Sequence, residues 1–167
     1  MDNYNVDLMK YRLKKANDEL ELAQHCIDVN KFSKSLNCSY YAIFHSARAL
    51  LVQRILRTIE KLDFKKHSGV ISYFIKNYIN KNLLNEELGE IIRTAERERN
   101  KSDYQDFYAV SKEEALELKI MIMNSQLFTG RTHIFRRRSF IMRMHLCLIA
   151  IMCRHPFGKR NKENVEQ

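Results

Sequence analysis

Two stretches of this chain hold side chains suited to phosphate chemistry. The first is Tyr40-Tyr41-Ala42-Ile43-Phe44-His45-Ser46-Ala47-Arg48, with a His and an Arg three residues apart. The second is Arg99-Asn100-Lys101-Ser102-Asp103-Tyr104, with an Arg and an Asp four apart. A guanidinium offers a planar fork of donors that matches phosphate oxygens. An imidazole titrates near neutral pH and moves protons. Together they are parts for a phosphate-capable face. On a helix, residues three and four apart are neighbours, so Tyr41, Phe44, His45 and Arg48 share one stripe. Asp103 either forms an i,i+4 ion pair with Arg99 or turns Arg99 or Arg48 toward a phosphate. His45 reads equally as a satisfied core histidine. His67 reads either as a helix-start residue or, with His45, Arg48 and Arg99, as part of a small anion pocket.

Helices must position these groups. Leu8, Tyr11, Leu13, Ala16, Leu20, Leu22, Ala23 and Ile27 recur at helical spacing and predict a first helix over Val6 to Val29. Lys10, Arg12, Lys14 and Lys15 read as its solvated face. Asn30-Lys31 breaks it. A second helix is expected over Phe32 to Ile59, with Tyr40, Ile43, Ala47, Leu50 and Leu51 as its apolar stripe. A third starts near His67 and carries Val70, Ile71, Phe74, Ile75 and Tyr78; a fourth spans Asn85 to Lys101. Ser111-Lys112-Glu113-Glu114 is a capping box that opens a fifth, through Leu118 and Ile122 toward Leu127. With Gly 4 and Pro 1, the chain lacks the turn chemistry of a β fold. The fold class is therefore all-α: an up-down bundle of four to five helices over residues 1–128.

The net charge is +9, yet residues 131–167 alone hold nine Lys and Arg against two Glu, or +7, leaving +2 for residues 1–130. Residues 129–167 read as a basic C-terminal extension, helical over 134–153 and then disordered. The Arg136-Arg137-Arg138 run is either an RNA or acidic-partner footprint or a solubiliser. The shift at Gly130 fits an appended element or a junction in the reading frame. The apolar run Leu146 to Cys153 is too short to span a membrane. Cys26, Cys38, Cys147 and Cys153 show no CxxC spacing and read as reduced thiols of a cytoplasmic protein. The polar start of the chain does not look like a signal peptide.

The ordered motifs Tyr40 to Leu51, then His67-Ser68-Gly69-Val70-Ile71 with Phe74, then Arg99 to Phe107, resemble the HEPN domain family over residues 6–128. The similarity is greatest to its small bacterial and archaeal branch with an Arg…Asp-Tyr motif. The resemblance implies a helical bundle that dimerises and is often paired with a minimal nucleotidyltransferase in a toxin–antitoxin-like system. It implies no metal and no cofactor. The nucleotide- or RNA-binding residues would be Tyr41, His45, Arg48, Arg99, Asp103 and Tyr104, and Tyr104 is the candidate for modification by the transferase. The family's nucleases are metal-independent and carry a His four to six residues after the Arg; here Asp103-Tyr104 takes that place. Any cleavage would use Arg99 with His45 or another histidine. The readings left open are an RNA or nucleotide binder, an endoribonuclease toxin, and a helical interaction module whose polar motif is structural.

Overall fold

The computed structural model describes residues 3–55, 67–125 and 127, and every element in them is helical. α1 spans Asn3–Asp28, α2 Phe32–Ile55, α3 His67–Phe74, α4 Glu86–Tyr104 and α5 Lys112–Asn124. On α1 the buried residues are Met9, Leu13, Ala16, Leu20, Ala23, Cys26 and Ile27, spaced mostly by three and four along one seam. Asn30 takes a φ of 58° and turns the chain within two residues into α2. Asn accepts this left-handed geometry more readily than most side chains.

α2 is the centre of the bundle and packs against α1, α3, α4 and α5. It is buried on two sides. Ser35, Ser39, Ala42, Ser46 and Ala49 form a stripe of small residues. Ser35 Oγ donates to the Ala23 carbonyl at 2.9 Å, which places that stripe against α1. The second stripe, Leu36, Tyr40, Ile43, Ala47 and Leu50, is large and apolar. Tyr78 Oη donates to the Leu50 carbonyl at 2.8 Å, and Tyr40 Oη lies 3.4 Å from His67 Nδ1. α3 thus lies alongside α2 in the same direction, while α4 returns with Arg99 beside Asn37.

Two differences from the expected elements bear on the site, and one expected boundary falls outside the described residues. The end of the second helix, placed at Ile59, lies outside the described residues; α2 is described to Ile55. The third helix changes to a π-helical turn over Ile75–Ile79. There Gly89 of α4 comes close: a Cβ on it would stand 3.3 Å from Ile79 Cγ2. Finally, α4 runs on to Tyr104 instead of stopping at Lys101. The capping box forms as the sequence indicates: Ser111 Oγ accepts from Glu114 N at 3.1 Å, and Ser111 N donates to Glu114 Oε2 at 2.8 Å. The basic extension over 129–167, with Arg136–Arg138, lies outside the described residues.

Phe74 is fully buried and stacks on Tyr78 at 5.1 Å. Phe74→Ala is expected to cost about 3–5 kcal/mol through lost contacts and a residual cavity. Ser111→Ala, which removes one half of a surface cap, is expected to cost about 1 kcal/mol. Urea unfolding midpoints of the two variants check both values and their order.

Candidate functional site

The extension of α4 through Tyr104 sets the geometry of Arg99. One further turn places Asp103 beside it, with Arg99 Nη2 2.7 Å from Asp103 Oδ2. Asn37 of α2 completes the arrangement across the helix interface. Its Oδ1 accepts from Arg99 Nε at 3.3 Å, and its Nδ2 donates to Asp103 Oδ1 at 2.8 Å. Arg99 Nη1 donates to Asn100 Oδ1 at 3.2 Å. Each guanidinium nitrogen therefore has a partner. The Arg99 carbon lies 5.9 Å from the Tyr40 ring centre and 5.4 Å from that of Tyr104. Arg99 and Asp103 side chains are 20% and 24% exposed, so the clamp opens to solvent at one edge. Burial lowers the guanidinium pKa, but the Asp103 carboxylate and the Tyr104 hydroxyl outweigh it and raise the value overall. The cation is permanent.

The second group surrounds Phe44. His67, the first residue of α3, lies with its ring 4.4 Å from Phe44. Tyr40 touches both groups, with its hydroxyl at His67 and its ring under Arg99. The His67 pKa is lowered by burial first, then by Arg99 and Arg48, with Glu96 opposing. His45 is 9% exposed, stacked near Tyr41 at 6.3 Å and edge-on to Phe44 at 5.9 Å. Its Nδ1 is buried and has no hydrogen-bond partner among the described residues. Burial, then Arg12, Lys15, Arg48 and His67, push the His45 pKa down to about 4, so the ring is neutral at pH 7. Arg48 lies 5.8 Å from the Phe44 ring centre, and no carboxylate among the described residues pairs with it.

The residues singled out in the sequence thus fall into two groups. Arg99, Asp103 and Tyr104 come together, with Tyr41 electrostatically within reach of Arg99. His45 and Arg48 stand with Phe44 and His67, and no hydrogen bond or ring contact joins His45 to Arg99 or Asp103. Asp103 is bound to Arg99 and not to Arg48. Asn37 was missed from the sequence. Its signal is a poor helix former three residues before Tyr40, on the face that α4 covers. The basic residues of α1 are not one uniform solvated face either, because Arg12 and Lys15 act on His45. Among the described residues no three His, Cys, Asp or Glu gather as metal ligands, and no helix is long and apolar enough to cross a membrane.

An α-helical bundle whose central helix presents a Tyr-Tyr…Phe-His…Arg stripe, faced by an Arg…Asp-Tyr helix end, defines a particular class of small helical domain. The HEPN domain profile matches residues 9–120, and the chain belongs to that family. It is 30% identical over 129 residues to "Putative toxin MJ0142" of Methanocaldococcus jannaschii, covering 77% of this chain and 81% of the relative. "Putative toxin MJ0605" of the same organism is 31% identical over 116 residues, 70% of this chain and 79% of the relative. A "UPF0332 protein" of Thermotoga maritima is 26% identical over 111 residues, 66% and 80% of the two chains.

The buried His45 carries a pH consequence. Its pKa is about 4 in the fold, below the ordinary 6.5, so the unfolded chain binds its proton more tightly. The stabilisation from keeping it neutral is complete above pH 6.5 and is lost as pH falls toward 4. One such group contributes a slope of at most about 1.4 kcal/mol per pH unit in that window. Arg12 and Lys15 of α1, Arg48 of α2 and His67 of α3 are the charged or titratable groups that set it. His45→Gln is expected to flatten this part of the stability–pH curve, measured by urea unfolding between pH 4 and 7. An unchanged slope contradicts the assignment.

Proposed function

We propose that this chain is the toxin-like member of a cytoplasmic two-protein system that binds RNA or a nucleotide at the Arg99 site, with a minimal nucleotidyltransferase as its protein partner. The observation that carries the reading is the Arg99 clamp. A permanent cation is held in fixed orientation by Asn37 and Asp103, between the rings of Tyr40 and Tyr104, at a site open on one edge. Guanidinium and aromatic faces are the surfaces that take phosphates and stacked bases of single-stranded RNA. Asp103 holds Arg99 through a single Nη2 contact, and an incoming phosphate competes for that donor. Tyr104 is 74% exposed, and its ring is accessible to a base or to a modifying transferase. The reading includes a homodimer, with the exposed rings of Tyr104 and Phe107 available for the pairing surface.

Arg99→Ala is expected to weaken binding of a single-stranded RNA oligonucleotide or ATP by about 10- to 100-fold, the range for losing a charged hydrogen bond. Arg99→Lys should recover only part of it, because the fork is lost with the charge kept. Fluorescence anisotropy at fixed salt measures both, and full affinity in Arg99→Ala overturns the reading. For the partner, incubation with the cognate transferase and ATP should add mass at Tyr104; an unmodified Tyr104 removes that role.

A metal-independent endoribonuclease is the second reading, favoured by the position of His67. It shares Tyr40 with Arg99, and its lowered pKa leaves a neutral imidazole available as a base at pH 7. His45, the histidine first assigned to that role, is buried against Tyr41 and Phe44 and, unlike His67, does not meet Tyr40. RNA cleavage in the presence of a chelator should then disappear in both Arg99→Ala and His67→Ala. Cleavage that persists in either variant, or none in the wild type, removes this reading.

A further inference from the structure

The four basic residues between Lys10 and Lys15 divide into two kinds. Lys10 lies 3.7 Å from Asp7, and Lys14 holds both oxygens of Asp18 at 3.0 and 2.7 Å. Arg12 and Lys15 have no carboxylate partner among the described residues; each lies near the Tyr11 ring, at 5.8 and 5.6 Å. Arg48 is alike, half-buried over Phe44 with no acid paired to it among the described residues. The helix register gathers these three. α1 and α2 are antiparallel, and Ser35 meets Ala23. Moving from that contact one residue forward on α2 for each one back on α1 brings His45 level with Leu13. Arg48 then stands level with Lys10, and Arg12 and Lys15 flank His45 on the facing helix.

Like charges held together without an acid repel one another, and a half-buried one loses hydration as well. The cost registers at the site: Arg48 is lowered by burial and by Arg12, and His45 by burial and all three cations. The polar atom on which all three act, His45 Nδ1, is buried and has no hydrogen-bond partner among the described residues. An anion resting among them relieves the repulsion and gives each donor an acceptor. Arg48 and Arg99 both act on His67, so its position lies under the influence of cations from α2 and α4. Glu96 is the acid that faces His67.

We propose that Arg12, Lys15 and Arg48, arranged about His45 on the wall between α1 and α2, form a second phosphate-binding site that takes the sugar-phosphate backbone of an RNA strand reaching on to Arg99. This rests on the reading of the chain as a phosphate binder and adds residues outside the Arg99 clamp. Contacts of this kind fix a strand without reading its sequence.

The test uses the full chain. Arg12→Gln, Lys15→Gln and Arg48→Gln should each weaken binding of RNA oligonucleotides to a similar degree whatever their sequence. Each should also lower the slope of log affinity against log salt by about one. Lys14→Gln, adjacent but already paired with Asp18, should leave both unchanged. The second measurement is the His45 ring titration by NMR with inorganic phosphate, a mononucleotide, or an oligonucleotide. A bound phosphate should raise the His45 pKa from about 4, and should do so in Arg99→Ala as well. A response to the oligonucleotide alone assigns the site to an RNA backbone. A response to inorganic phosphate or the mononucleotide as well upholds the phosphate site but overturns its restriction to RNA. Unchanged His45 titration with every ligand overturns the inference, even where Arg99→Ala still abolishes RNA binding. Salt slopes in the three variants equal to that of Lys14→Gln overturn it too.

Discussion

The close approach of α1 to α2 is the constraint on which the other helices depend. It is made possible by the small residues Ser35, Ser39, Ala42, Ser46 and Ala49, all essentially excluded from solvent. Side chains of this size let two backbones draw near, and Ser35 uses the proximity to donate to Ala23. Because one stripe of α2 is given to α1, the adjoining stripe, from Leu36 to Leu50, is free to seat α3, α4 and α5. Tyr40 belongs to that second stripe, and so it is buried where α3 begins and α4 ends. The functional groups stand where they do because the helix between them is packed on both sides.

The same packing separates two electrostatic situations. Arg99 is compensated: a carboxylate and an amide hold it, and its charge strengthens the contact between α2 and α4. Among the described residues Arg48 is not, and neither are Arg12 and Lys15. A partly exposed ion pair contributes little stability, on the order of 1 kcal/mol or less, so the clamp matters more for orientation than for folding. An uncompensated half-buried cation works against the fold. A polar arrangement that costs stability and is left without an internal partner is expected at functional sites.

Periodicity alone made the helices legible. The apolar spacing of α1, the Asn30 break and the Ser111 capping box are local signals, and the structure uses each of them. The end of α4 was less legible. Lys101 to Tyr104 is polar enough to read as a loop, and its helical state rests on Asn37 holding Asp103 from another helix. The π-helical turn was invisible for a related reason, since Tyr78 reaches the Leu50 carbonyl through tertiary packing. In the site, the spacing of Arg99 and Asp103 gave their pairing once the helix continued. Asn37 and the division of the α1 cations depend on which faces meet, and one chain's sequence does not state that.

The placement of Asp103 four residues after Arg99 has a structural consequence that follows from α-helical geometry. A side chain four residues beyond Arg99 stands directly over it. A histidine there would keep a basic nitrogen near the guanidinium without neutralising it. A carboxylate there binds the guanidinium instead, and Asn37 fastens both. The same two positions then form a clamp rather than an acid–base pair. The group outside the helix that shares Tyr40 with Arg99 is His67. Arg99 is thereby held between two aromatic rings by groups from two helices, and His67 meets it only through Tyr40.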